Sequence, residues 1–203
     1  GCYGVTVGPN ARDLAGAATL AVNGAHCPGA AAAVTVRLPG APAAACSAIT
    51  GPIGGRRLGP MRLDMTSAQI RQRLGARGWT RRGAGRFACP GHGTVRIGFA
   101  DARVLRDLPR RQRAGLRGRA VGILATAHAV SLNGVSPGTR ARIAARRLAL
   151  GRSLRVAGHT WYVVGSRGWL IEVRRGVVIA VGVADRHVLA SRRATRQLLV
   201  ALA

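Results

Sequence analysis

The chain has 203 residues, 48% of them apolar and 3% aromatic, enough to bury a core built mainly from small side chains and to form one or two domains. Its 32 basic residues, all arginine, stand against six acidic ones for a formal net charge of +26. Without lysine there is no P-loop of the usual kind, six scattered carboxylates are a poor inventory for acid–base catalysis, and no uninterrupted apolar run reaches the ~18 residues of a membrane-spanning helix.

A GC-rich coding bias accounts for arginine in place of lysine but not for the shortage of acids. A field this positive favours phosphate-rich or otherwise polyanionic partners: nucleic acid, anionic lipid or anionic wall polymers. The charge is uneven, because residues 1–55 carry only Arg12, Arg37 and Asp13 while the remainder holds 30 arginines and five acids.

In chain order, YGVTV at 3–7 alternates as a strand, GPN turns, DLAGAATLAV has helix-forming composition, and VTVRL at 34–38 is a second strand candidate. The Gly- and Pro-rich TGPIGGRRLGP at 50–60 closes a cysteine-bearing segment placed at residues 1–55. Cys2, Cys27, Cys46 and Cys89 are an even set with three pairings open, and two disulfides in an exported protein are expected, Cys27 with Cys46 and Cys2 with Cys89 being the favoured pairing. The small-residue run GAPAAAC ending at Cys46 is not read as a signal peptide, since Arg37 and Pro39 interrupt the apolar stretch before it.

From Leu63, Asp64 or Thr66 is placed to cap a helix whose apolar face is Ala68, Ile70 and Leu74, with Gly75 ending it. A loop around Trp79 follows, then RFA at 86–88 as a short strand. TVRIGF at 94–99 sets Val95, Ile97 and Phe99 on one face, Asp101-Ala102 turns, and RVLRDL returns as the second arm of a hairpin. DLPRRQRAGLRGRA then reads as a basic loop, in which Pro109, Gly115 and Gly118 break any helix. AVGILATAHAV at 120–130 is apolar enough for a buried strand.

The same order then recurs, the signature of an internal duplication. In GVSPGTRARIAARRL at 134–148, Thr139, Ala141, Ile143 and Arg146 stand 73 positions after Thr66, Ala68, Ile70 and Arg73. TWYVV at 160–164 is a strand. Trp169, Ile171 and Val173 stand 74 positions after Val95, Ile97 and Phe99, followed by a turn at Arg175-Gly176 and VVIAVGV as the returning strand. HVLASRRATRQLLVAL closes the chain as an amphipathic helix, Leu198, Leu199 and Leu202 opposite Arg192, Arg193 and Arg196. The reading is therefore α+β: two helix-plus-antiparallel-sheet repeats, at 56–130 and 131–186, in one layered body, with the cysteine-bearing segment in front and a C-terminal helix at 187–203.

LDMTSAQIRQRLG resembles the opening phrase of the small bacterial outer-membrane-assembly lipoprotein family (SmpA/OmlA) and of the related β-lactamase-inhibitor-protein fold, where a glycine or turn, a Thr or Ser and a short amphipathic helix precede strands. GVSPGT, WYVV, VRRGVV and VGVADRH are similar to exported actinobacterial proteins that carry two such units. The resemblance covers residues 60–190 and implies a non-catalytic envelope or binding module, with no catalytic residue to carry over. Two departures stand out: no glycine precedes the Met-Thr of the first unit, and Leu148 stands where Gly75 ends the first helix.

Chemistry-bearing residues are few. Glu172, the sole glutamate, falls on the outward face of its strand when Trp169, Ile171 and Val173 face in, and neutralises a nearby arginine. Cys89-Pro90-Gly91-His92, His26-Cys27 and Cys46 offer only one close pair toward a zinc site, too few for the usual paired spacing. Trp161, Tyr162 and Trp169 fall in strands and are assigned to the core. The candidate polyanion-binding residues are Arg106, Arg110, Arg111, Arg113, Arg117 and Arg119 in the basic loop, and Arg140, Arg142, Arg146 and Arg147 on the second helix. The expectation is a monomeric, secreted or extracytoplasmic binding module. It needs no metal or other cofactor, is not an enzyme, and its partner is a protein or an anionic envelope polymer. The alternative is a nucleic-acid-binding protein acting through non-specific arginine–phosphate contacts.

Overall fold

The computed structural model describes residues 17–20, 34–37, 49, 51–74, 78–81, 83–89, 93–151, 153–164 and 166–203, with 17–20, 34–37, 78–81 and 88–89 described through their backbone alone. The chain divides into two units, Gly1–Ala43 and Ala44–Ala203. In the first, β1 (Ala17–Leu20) pairs antiparallel with β2 (Val34–Arg37), Ala17 opposite Arg37. Ala17 and Ala18 of DLAGAATLAV thus lie in a strand where composition favours a helix. Helix propensities differ by less than about 1 kcal/mol per residue, and pairing with a β-branched strand overrides them.

The second unit runs β3 (Gly51–Pro52), β4 (Arg57–Leu58), β5 (Met61–Arg62), α1 (Ser67–Leu74), β6 (Gly78–Arg81), β7 (Ala84–Cys89), β8 (Gly93–Phe99), α2 (Ala102–Arg106), α3 (Arg110–Leu116), β9 (Ala120–Ala125), β10 (Val130–Ser131), α4 (Ala141–Leu148), β11 (Ser153–Val156), β12 (His159–Val164), β13 (Trp169–Arg174), β14 (Val177–Ala184), α5 (Arg186–Ala190) and α6 (Arg192–Leu202). Eight strands form one antiparallel sheet in the order β11-β12-β13-β14-β9-β8-β7-β6, so the architecture is α+β. Ile49 and Ile53 are buried in its core.

In each half of the sheet a helix is followed by four antiparallel strands, and the fourth strands, β9 and β14, lie side by side at the centre. Ser67 and Ala141 open the two helices 74 positions apart. Ile70 and Leu74 are buried in one, Ala144 and Leu148 in the other, at that same spacing. The spacing of 73 expected for the helices is therefore corrected, and Ile143, which it matched to Ile70, is 38% exposed.

The chain enters both helices through the same hydrogen bonds. Asp64 N–H donates to the Ala120 carbonyl (2.9 Å) and Ala120 N–H to that of Met65 (2.8 Å); Gly138 N–H donates to the Val178 carbonyl (2.8 Å) and Val178 N–H to that of Thr139 (2.9 Å). Asp64 and Gly138 both hold left-handed backbone, with φ of 79° and 94°. At Asp64 this is an uncommon conformation for a residue with a Cβ. Arg56 Nη2 holds its carboxylate at 2.7 Å.

The helix starts then differ. Thr66 N–H donates to Gln69 Oε1 (2.9 Å) while Gln69 N–H donates to Thr66 Oγ1 (3.3 Å), a reciprocal capping box. At the spacing of 74, Arg140 and Ile143 stand in the places of Thr66 and Gln69. Neither side chain can accept a hydrogen bond, and Thr139 Oγ1 instead accepts from Ser136 N–H at 3.1 Å.

Both faces of the sheet are covered. Phe87, Val95, Ile97, Ile123, Ile171 and Val183 pack with Ile70, Leu74, Ala144 and Leu148 beneath α1 and α4. Leu124, Trp161, Leu170 and Ala180 pack with Val104, Val188, Leu198, Leu199 and Leu202 beneath α2, α5 and α6. Gly98 and Gly122 face each other across β8 and β9, and a Cβ on Gly98 would fall 2.2 Å from Leu198 Cδ1. Their bare backbone lets α6 lie close against the sheet through Leu198, Leu199 and Leu202.

Four further local expectations are overturned. The segment around Trp79, expected as a loop, is β6, held by antiparallel pairing with β7. RVLRDL forms most of α2 rather than a hairpin arm, because Asp101 Oδ1 accepts from the N–H groups of Arg103 and Val104, each at 3.0 Å, and starts a helix; β9 is the strand that pairs back with β8. The basic segment contains α3, since burial of Leu116 and the bonds from Arg113 to the Leu108 and Arg106 carbonyls (2.8 and 3.0 Å) offset the ~1 kcal/mol helix penalty of Gly115. The closing segment is two helices, divided at Ser191, whose Oγ accepts from Ala194 N–H at 3.3 Å.

Candidate anion-binding site

The carboxylates determine where the arginine charge is left over. Glu172 is fully buried, not on a solvated face, because α6 covers the side of the sheet that alternation alone leaves open. Arg96, also buried, pairs with it, and Arg96 Nη1 further donates to the Leu202 carbonyl at 2.7 Å. His159 Nδ1 contacts the second carboxylate oxygen, and the Arg96 guanidinium lies 6.0 Å from the Trp161 ring centroid. Glu172 does neutralise an arginine, as expected, but inside the protein.

Asp185 is 2% exposed. Its Oδ1 accepts from His187 N–H at 2.9 Å, capping α5, while Arg56 Nη2 stands 3.1 Å from Oδ2. Asp101 does the corresponding work for α2. The two caps share a phrase, A-D-x-x-V-L at 100–105 and 184–189, in which the Val is buried under the sheet at both places. Among the described residues, the ion pairs engage two arginines, Arg56 and Arg96.

The ten arginines singled out from sequence do not form one patch. Arg106, Arg110, Arg111 and Arg113 belong to α2 and α3, while Arg142, Arg146 and Arg147 belong to α4, and α2 and α4 pack on opposite faces of the sheet. Arg117 follows α3 and Arg140 precedes α4, both exposed. Three of the ten serve the fold directly: Arg113 as described, Arg119 through Nη1 to the Asp64 carbonyl at 3.2 Å, and Arg147 through Nη1 to the Gly134 carbonyl at 2.7 Å. Cys2, Cys27, Cys46, His26 and His92 lie outside the described residues, and Cys89 is described only through its backbone, at the end of β7.

One of the ten, Arg106, does sit in a cleft. Arg103 and Arg106 from α2, Arg193 and Arg196 from α6, and Asp107 and Gln197 line an open volume of about 620 Å³. All four arginines are exposed and, among the described residues, none of their guanidinium groups has a hydrogen-bond or ion-pair partner. Arg103, Arg193 and Arg196 were missed as site residues because the two walls come from segments 90 positions apart. The one local signal was i,i+3 spacing, which puts Arg103 with Arg106 and Arg193 with Arg196 on one face of their helices.

Fold and surface together define an antiparallel-sheet protein, covered by helices on both faces, in which, of the described acids, Glu172 and Asp185 are buried. No protein-family model and no curated protein matches the chain. Among solved structures it is similar to an extracellular protein containing an SCP domain from Bacillus anthracis str. Ames, at 11% identity over 64% of this chain and 46% of that one, with a TM-score of 0.39. The chain thus spans less than half the length of that protein. No helix among the described residues is long and apolar enough to cross a membrane.

Proposed function

We propose that the protein is a non-enzymatic, exported binding module that engages an anionic polymer of the cell envelope through its arginine surface. The observation that carries this reading is the disposal of the acids: Glu172 and Asp185 are buried and Asp101 caps a helix, so the surface is more one-sided in charge than the composition. Arginines left without carboxylates raise the local concentration of polyanions and supply charge-assisted hydrogen bonds to phosphate.

Export rests on the even set of cysteines, and would be sunk by finding all four reduced in protein taken from its native compartment. The tandem duplication and the likeness to SmpA/OmlA and β-lactamase-inhibitor-protein units belong to the same reading. They draw support from the shared order of helix and four strands and from the matching bonds at Asp64 and Gly138.

The test is equilibrium binding of the full chain to poly(glycerol phosphate), heparin and duplex DNA across a salt series. Envelope-polymer binding is expected to be tightest for poly(glycerol phosphate) at equal charge, with log K falling linearly in log salt as counterions are released. Preference for DNA at equal charge would replace this reading with the nucleic-acid one. Binding to none of the three would remove both.

A further inference from the structure

We infer that the cleft between α2 and α6 is a discrete site for a chain of linked phosphates, contacted from both walls at once. This deepens the reading of an anion-binding module and rests on it. Each wall presents two arginines one helical turn apart, Arg103 with Arg106 and Arg193 with Arg196, and among the described residues the only acid lining the cleft is Asp107. Four guanidiniums against one carboxylate leave a local excess of three positive charges, which a single phosphate monoanion does not neutralise and a short run of linked phosphates does.

Arg103 and Arg106 gain the small stabilisation of a cation in the last turn of a short helix, but the α6 pair has no structural return that the fold displays. Arg193 lies in the first turn of α6, where the helix dipole is already positive and a cation is disfavoured. Arg103 and Arg106 lie across the cleft from it, adding like-charge repulsion. Other arginines of this protein repay their place by bonding backbone carbonyls, as Arg113, Arg119 and Arg147 do. The four cleft arginines hold none among the described residues, so their donors are free for a ligand. A local conflict without a compensating contact is where a binding function is expected.

The cleft lining also chooses among phosphate ligands. Among the described residues it holds no aromatic side chain, so bases have no surface on which to stack, and single-stranded nucleic acid forgoes the ~1–3 kcal/mol per base that stacking supplies. Gln197 adds a neutral donor and acceptor beside the guanidiniums. What remains is recognition of the phosphates themselves, by charge and by forked hydrogen bonds from arginine.

The experiment is titration of the full chain with sodium tripolyphosphate, followed by calorimetry, for the parent, R103Q/R106Q, R193Q/R196Q and, as a control of equal charge change, R71Q/R73Q on α1, exposed and outside the candidate binding residues. Loss of two charge-assisted contacts is expected to weaken binding by about tenfold or more in each cleft variant, with the control within about twofold of the parent. Equal weakening in all three would overturn the cleft while leaving a generally basic binding surface intact. No binding of tripolyphosphate to the parent, with poly(glycerol phosphate) still bound, would also overturn the cleft alone; loss of both ligands would overturn the module with it. Tighter cleft-dependent binding of a single-stranded oligonucleotide of equal charge would overturn the assignment of ligand. Thermal melting of each variant separates these outcomes from misfolding.

Discussion

Two groups of arginines, both on the side of the sheet covered by α6, are used in opposite ways. Arg96 is buried, and each of its contacts is specific: Glu172, the Leu202 carbonyl and the ring of Trp161. Arg103, Arg106, Arg193 and Arg196 are exposed around a cleft, and their side chains bond nothing among the described residues. Burial makes the difference. A desolvated charge costs several kcal/mol unless a partner of opposite sign is present, so Arg96 fixes the position of Glu172. A solvated arginine carries no such requirement and can be held for a ligand. The same residue type therefore reports structure in one place and function in the other, and only its surroundings tell which.

The largest expected effect breaks the buried member of this comparison. Glu172→Gln leaves Arg96 desolvated beside a neutral group, and removing one partner of such a pair costs about 3–5 kcal/mol. Denaturant unfolding is expected to show this loss in full. Replacing both residues by apolar ones, as in R96M/E172L, is expected to restore most of it, because a well-packed apolar pair of similar volume forgoes the desolvation cost altogether. A double variant as unstable as the single one would show that Arg96 matters through Leu202 and the end of α6 instead of through Glu172.

How far the sequence reached follows from what alternation can and cannot report. Val95, Ile97 and Phe99, like Ile171 and Val173 with the partly buried Trp169, read correctly as facing one core, since period-2 patterning depends only on local spacing. The same pattern assigned Glu172 to the outward face, where Arg96 also falls. It could not register that α6, far downstream, would cover that face by lying close over Gly98 and Gly122. The helix start is legible at Thr66, whose hydroxyl caps it, but not at Asp101, where Asp-Ala reads equally as a turn. The cleft was invisible for a plainer reason: its two walls meet only when α2 and α6 fold against the same side of the sheet.

A smaller effect tests how closely α6 must approach. Gly98→Ala places a methyl group 2.2 Å from Leu198 Cδ1, too near for contact without movement. Overpacking of this kind costs about 1–3 kcal/mol. Leu198→Ala in the same chain makes room, so the two losses are expected to be less than additive in a double-mutant cycle. Strict additivity would mean that α6 shifts bodily and that the glycine pair does not set its depth. The result bears on the cleft as well, because α6 supplies one of its walls.

The smallest effect on stability is expected where the effect on binding is largest. R103Q/R106Q and R193Q/R196Q remove exposed charges that hold no partner among the described residues, so the melting temperature of each is expected to stay within about 2 °C of the parent. The sign is informative too. Each pair of substitutions relieves repulsion across the cleft, and R193Q/R196Q also takes a cation out of the first turn of α6, so any shift is expected to be upward at low salt and to fade as salt screens the charges. A fall in melting temperature comparable to that of Glu172→Gln would place these arginines with Arg96, as parts of the fold. A small rise would mean that the folded protein carries them at a cost to its own stability, which is the expected mark of residues kept for a ligand.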